Sequence, residues 1–228
     1  MYLMASAFGP AAEPITVDVW SDVVCPFCYL GDATLQQAVG ESPQASSIQV
    51  RYHSFQLNPD VTETMPTYEY LANRRGFPMA QVKASHQMFQ TRGAELGLDY
   101  RFDQALVANT RDAHRLIHFA KTQGREHEMV LRLFRAEFTD GLDVSDHAVL
   151  ADLATEVGLD RAAAVQVLVS GAHEADFQAD IEAAQQLGIT GVPFFVFDNK
   201  RAVSGAQPLE LFKRALDLSW QDRSAAPA

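Results

Sequence analysis

The stretch Ile15-Thr16-Val17-Asp18-Val19-Trp20-Ser21-Asp22-Val23-Val24-Cys25-Pro26-Phe27-Cys28 decides how the whole chain is read. Its first six residues alternate around β-branched side chains, the period-2 signature of a strand. From Cys28 onward, Leu30, Leu35, Ala38 and Val39 fall at helical spacing, and Gly40 is a suitable stop. The chain's only two cysteines therefore stand three positions apart at a strand-to-helix junction. A thiol at the first turn of a helix faces unpaired backbone N–H groups and the positive end of the macrodipole, which favours its thiolate. A second cysteine one turn later can close a small disulfide ring with it. Two cysteines in 228 residues build neither a disulfide scaffold nor a four-thiolate zinc site. The plain alternative, a pair of buried structural cysteines, requires neither this spacing nor the intervening proline.

Working outward, residues 48–55 set Ile48, Val50, Tyr52 and Ser54 in alternation with Arg51 and His53, a second strand. Strand, helix, strand over so short a span is a βαβ unit with parallel strands. Residues 60–187 then change to helical periodicity without a clean strand, with helices expected over 67–75, 79–96, 103–123, 126–138, 145–157, 160–169 and 174–186. Asp103, Ser145 and Asp160 suit N-caps, while Gly97, Gly124, Gly158 and Gly171 fall just after periodic stretches. Strand character returns over 192–197, and Asp198-Asn199-Lys200 is a turn into 201–204. A last amphipathic helix fits 208–220.

The order is β-α-β, an all-helical block, then β-β-α, so the fold class is α/β. A sheet begun at one end of a chain and completed at the other makes the helical block an insertion. The expected divisions are a loose tail over 1–14, the first half of the αβ domain over 15–59, the insertion over 60–187, the second half over 188–221 and a frayed end over 222–228. A 47% hydrophobic content supplies a real core. The net charge of −11, without any Lys/Arg-rich run, argues against nucleic acid as a partner. No stretch approaches the ~20 apolar residues of a bilayer span, so no membrane partner is expected. Residues 1–14 show neither the basic nor the apolar region of an export signal, which makes the cytoplasm the expected compartment and a reduced pair its resting state.

Four segments then stand in a telling order: Ser21 to Cys28, Phe55-Gln56-Leu57-Asn58-Pro59, Asn109-Thr110-Arg111-Asp112-Ala113-His114-Arg115-Leu116, and Gly188-Ile189-Thr190-Gly191-Val192-Pro193. With them the chain resembles the DsbA-like branch of the thioredoxin superfamily, and within it the FrnE-like cytoplasmic oxidoreductases related to 2-hydroxychromene-2-carboxylate isomerase and kappa-class glutathione transferase. The resemblance implies a thioredoxin-like fold carrying the helical insertion. It implies a thiol:disulfide oxidoreductase or isomerase acting on protein or small disulfides. It also implies a cis proline at Pro193 beside the redox pair, and Val192 as a ledge for an extended substrate segment. No cofactor beyond the cysteine pair follows, with glutathione as a co-substrate and a homodimer both compatible with such relatives.

Within that frame Cys25, at the helix mouth, is the nucleophile, and the more buried Cys28 resolves the mixed disulfide. Pro26 fixes φ for the first turn, and Phe27 adds apolar surface without charge. Asp22, if turned toward the pair, opposes the Cys25 thiolate. These features predict a couple less oxidising than periplasmic DsbA, for which ~−120 mV is the reference. Asn58 matches a glutathione contact of the kappa-like relatives, though those carry serine where this chain has Cys25 and a Ser-Asp pair where it has Gly205-Ala206. Asn109, Thr110 and His114 share one side of an expected helix and face either the core or the cleft. His114 and His118 have the i, i+4 spacing of a metal pair but neither an HExxH glutamate nor a third ligand, so no metal is expected. The aromatic and methionine residues of the insertion, Phe77, Met79, Phe89, Phe102, Met129 and Phe138 among them, are expected to be mostly core with a few lining a cleft.

Overall fold

A computed structural model describes residues 14–225. The tail expected over 1–14 lies outside the described residues except for Pro14, as do 226–228. A four-stranded sheet has the order β2-β1-β5-β6, where β1 is Ile15–Ser21, β2 Ile48–Ser54, β5 Phe194–Phe197 and β6 Arg201–Ser204. Strands β1 and β2 are parallel with Ile15 opposite Ile48 and Ser21 opposite Ser54, and helix α1 (Pro26–Gly40) makes their crossover. Strand β5 runs antiparallel to β1 and forms a hairpin with β6. The three-residue hairpin turn, Asp198 to Lys200, places Asp198 and Asn199 at φ 51° and 54°, with the Lys200 N–H donating to the Phe197 carbonyl, the left-handed pair of a tight turn matched to strand twist.

Almost every side chain of β1 is buried, because helices cover both faces of this strand. On one face α1 packs beside the last helix, α9 (Leu209–Ala225), through Leu30, Leu35, Phe212 and Leu216, with Phe195 and Phe197 beneath them. On the other, Trp20 meets Ala184 and Ile189 at the end of α8 (Glu174–Gln186). The halves of the sheet are thus joined by pairing between residues far apart in the chain, with the helical segments lying between β2 and β5 in sequence.

Those segments depart from the sequence expectations at several ends. The helix expected over 103–123 is shorter: α4 is Arg111–Thr122, and Asp103 caps nothing there. Its expected first part is instead extended, because Leu106–Val107 (β4) pairs antiparallel with Met65–Pro66 (β3), and the Thr67 N–H donates to the Ala105 carbonyl. Tertiary pairing has overridden a local helical pattern. The segment expected over 67–75 is one α turn, α2 (Thr67–Glu69), continued by a wide turn in which the Arg75 N–H reaches back to the Tyr70 carbonyl. Helix α3 is Met79–Glu95, and α5 is Glu126–Arg135, extended by a similarly wide turn over Ala136–Asp140. Helix α6 is His147–Glu156, capped by Asp146 and not by Ser145, whose own N–H and hydroxyl are taken by Asp143. Asp160 caps α7 (Arg161–Ser170) as expected, its carboxylate accepting the Ala163 N–H. The end expected to fray from 222 is helical to Ala225, since Asp222 pairs with Arg201 and Arg223 with Asp198 across to the hairpin.

Candidate active site

Cys25 is the N-cap of α1, in extended conformation, and Pro26 takes the first helical position, where its missing N–H costs nothing. No side chain caps this helix start, so its first backbone N–H groups are left at the end of α1 where Cys25 sits. The Cys25 N–H donates to the Asp22 carbonyl and its own carbonyl accepts from the Cys28 N–H, which fixes the turn between strand and helix. Both cysteines are free thiols. Cys25 Sγ lies 3.6 Å from the Val192 carbonyl oxygen, and the Val192–Pro193 bond is cis. The redox pair and the loop opening β5, more than 160 positions apart in the chain, are thereby in contact.

Gly31 makes that approach feasible. A Cβ at this position would stand 3.0 Å from Pro193 Cγ and 3.1 Å from the Phe195 ring, so any larger residue would force the proline loop or Phe195 to shift away from α1. Tyr100 ties the other side, its hydroxyl donating to the Pro26 carbonyl at 2.7 Å. Neither contact has a local sequence signal beyond a glycine inside a helical pattern.

Cys28 is the more buried of the pair, as expected, but Cys25 at the helix mouth is nearly as enclosed. The residue is 4% exposed, against 1% for Cys28, because Val24, Pro26 and Val192 crowd it at the floor of a cleft of about 500 Å³. The cleft walls are apolar, formed by Phe27, Leu71, Phe77, Phe89, Phe102 and Phe138 among others. Phe27 is 41% exposed and meets Phe89 edge to face at 4.5 Å. The insertion's aromatic residues therefore divide, Phe77 remaining exposed while Phe89, Phe102 and Phe138 are buried. His86 is a further cleft residue that sequence reading passed over. Burial pulls its pKa down to about 4, leaving a neutral ring stacked on Phe102 at 3.8 Å. Arg75 is the one formally charged side chain lining this cleft among the described residues.

Burial pushes the Cys28 thiol well up, and the Cys25 sulfur beside it pushes further, while the Asp22 backbone N–H and the Ser21 hydroxyl nearby favour its thiolate and oppose both. Asp22 is fully buried, and its carboxylate is turned away from the pair. One oxygen accepts the Leu57 N–H at 2.8 Å, and the other is 3.3 Å from His114 Nε2.

The remaining residues singled out from sequence divide in the same way. Asn58 lines the cleft beside Cys25, its Oδ1 accepting the Tyr70 hydroxyl at 2.8 Å. Val192 lines it too. Asn109 does not line the cleft and precedes α4. Its side chain holds the 56–61 loop by donating to the carbonyls of Pro59 and Val61 and accepting from Gln56. His114 is buried behind the redox turn and likewise stands off the cleft. His114 and His118 turn to different carboxylates, Asp22 and Asp180.

A dithiol at the mouth of a helix, against a cis-proline loop on a β-α-β plus β-β-α sheet, defines a thioredoxin-fold protein of the thiol-disulfide oxidoreductase class. Residues 16–217 match the DSBA-like thioredoxin domain, and the chain belongs to that family. It is 35% identical to a probable DsbA oxidoreductase of Streptomyces coelicolor, whose crystal structure superposes with a TM-score of 0.89 over 94% of this chain and 93% of that one. It is 28% identical over 209 residues to the uncharacterized protein YwbO of Bacillus subtilis, covering 89% of this chain and 96% of the relative. The fold is shared with the cytosolic disulfide reductase DsbM of Pseudomonas aeruginosa, solved with GSH, at 19% identity and a TM-score of 0.64, covering 90% and 99%. No helix among the described residues is long and apolar enough to cross a membrane.

Proposed function

We propose that this protein exchanges disulfides through Cys25 and Cys28 with protein or small-molecule partners in the cytoplasm. In the oxidising direction, a substrate dithiol attacks the Cys25–Cys28 disulfide at Cys25, and the second substrate thiol then displaces Cys25, leaving both protein sulfurs reduced. In the reducing direction, the Cys25 thiolate attacks a substrate disulfide and expels one substrate thiolate. Cys28 then attacks Cys25 and expels the other, so two electrons pass to substrate and one intramolecular disulfide forms. The observation that carries this reading is the placement of Cys25 Sγ against the Val192 carbonyl, at the floor of an apolar cleft. An extended segment lying along Val192 would bring its own sulfur to Cys25 while its apolar side chains occupy the aromatic walls.

Reduction of insulin by the dithiothreitol-charged protein tests it. Cys25→Ser is expected to abolish turnover, and Cys28→Ser to accumulate a mixed disulfide with substrate that mass spectrometry detects. Wild-type turnover by Cys25→Ser would end this reading.

A second reading, a glutathione-dependent isomerase or transferase, is favoured by one observation, the placement of Asn58 on the wall of the Cys25 cleft. Cys25 in place of serine, and Gly205-Ala206 in place of a Ser-Asp pair, count against it. Glutathione-dependent isomerisation of 2-hydroxychromene-2-carboxylate by Cys28→Ser, in the absence of any disulfide, would favour it over dithiol exchange.

A further inference from the structure

Attack of Cys28 on Cys25 requires a Cys28 thiolate, and at that moment substrate occupies the cleft. Cys28 is 1% exposed and does not line the cleft, so its proton needs another way out. Behind it, the Ser21 hydroxyl stands close enough to its sulfur to favour the thiolate. Ser21 also lines a small cavity of about 10 Å³, the space of one water molecule. The polar part of the cavity wall is Ser21, Tyr52, His53, Ser54, His114 and His118.

Ser54 is the register partner of Ser21 in the parallel pair β1 and β2, and its Oγ lies 3.1 Å from His118 Nε2. The same nitrogen is 3.1 Å from Asp180 Oδ2. His118 and Asp180 in turn line a second surface cleft, of about 290 Å³, that shares no residue with the cleft at Cys25. His114 is a poorer exit, since its Nε2 faces Asp22 and the pair is enclosed.

We propose that Ser21, the cavity, Ser54 and His118 form a proton path that connects Cys28 to solvent at the His118–Asp180 pair, away from the substrate cleft. This rests on the dithiol exchange proposed above. The Cys28 S–H bond breaks as Ser21 receives that proton and passes its own to a water molecule in the cavity. That water gives a proton to Ser54, Ser54 gives its own to His118 Nε2, and His118 releases one proton to solvent beside Asp180. The Cys28 thiolate forms the bond to Cys25 Sγ, and the bond from Cys25 to the substrate sulfur breaks with its electron pair leaving on substrate. The reverse reaction returns a proton to Cys28 by the same groups. Ser21 touches a reacting atom, whereas His118 acts through others and is a positioning residue. The charged and titratable groups facing His118 are Asp180 on α8, His173 with its ring 6.5 Å away, and Asp176 and Lys121 around the surface cleft, with His53 on the other oxygen of Asp180.

The test is rapid mixing of the reduced full-length chain with excess 5,5′-dithiobis(2-nitrobenzoate). The first thiolate released reports attack by Cys25, and the second reports resolution by Cys28. His118→Gln and Ser21→Ala are each expected to lower the ratio of second to first rate at neutral pH by about tenfold. Raising the pH should restore the ratio, and Ser21→Thr, which keeps a hydroxyl, should retain it. A ratio unchanged in both His118→Gln and Ser21→Ala would overturn the path while leaving dithiol exchange intact. Equal slowing of both phases in Ser21→Ala, with no recovery at high pH, would overturn it as well by showing a structural role. Absence of a second release from the wild type would defeat the exchange reading itself, and with it the path.

Discussion

At the scale of single residues, the two cysteines differ through their surroundings more than through their exposure. Cys25 sits at the open end of α1 beside Val192, and Cys28 is enclosed, with burial and the neighbouring sulfur holding its proton on. Phe27, between them in the first turn of α1, brings an apolar ring and no charge. Asp22, which from sequence alone stands as an opponent of the thiolate, directs both oxygens elsewhere, to the Leu57 N–H and His114. With no cation in the motif to stabilise the reduced form, the couple is expected to lie below the ~−120 mV of periplasmic DsbA in a redox titration against glutathione. Phe27→His should move it upward, because an imidazolium at that position favours the thiolate. A wild-type value as high as DsbA's would show that the sign of this electrostatic argument is wrong.

At the scale of elements, the site depends on how closely α1 approaches the loop before β5. Gly31 is the contact point, and its neighbours have little room to yield, since Phe195 is fully buried and Pro193 is held between the two elements. Alanine in a helix interior normally gains about 0.5–1 kcal/mol over glycine. Overpacking against a rigid neighbour costs about 1–3 kcal/mol, so the clash wins. Gly31→Ala is therefore expected to lower stability by roughly 1 kcal/mol in urea unfolding and to reduce insulin turnover by displacing Val192 from Cys25. A stabilised variant of undiminished activity would show that the loop accommodates the methyl group. The Gly31 position was readable only as a helical glycine. The contact that gives it meaning joins α1 to a loop more than 160 positions later.

At the scale of the whole molecule, a polar network fastens α8 to the sheet beside the site. His53 lies between Asp18 on β1, at 2.8 Å, and Asp180 on α8, at 2.7 Å, while Arg51 makes a second pair with Asp18. Burial pulls the His53 pKa down, but its hydrogen bonds to Asp18 and Asp180 outweigh this and hold it at about 9. A raised histidine contributes stability that is complete below its unfolded value of about 6.5 and is lost as pH rises through the folded one. Asp180 is shifted the other way, since its histidine partners overcome its desolvation, so its contribution is lost only in acid. Wild-type stability is expected to fall more steeply than that of His53→Gln between pH 6.5 and 9, by on the order of 2–3 kcal/mol in urea titrations. Parallel curves for the two proteins would show that His53 is not charged in the fold.

What the sequence determined by itself is local. Alternation in 15–20, the cysteine spacing with Pro26 inside it, and the return of strand character at Val192-Pro193 each lie within a few residues, and short-range sterics and capping suffice to specify them. They were enough to give the strand-helix-strand start, the late hairpin and the pair at a helix mouth. The tertiary structure decided everything that depends on partners distant in the chain. Pairing of Leu106–Val107 with Met65–Pro66 cut short a locally helical segment. Crowding from Val192 buried Cys25 at the cleft floor, and the 56–61 loop and Asp22 drew Asn109 and His114 away from that cleft. No sequence period encodes such contacts, because each is fixed by the packing of one element against another and not by the backbone preferences of either.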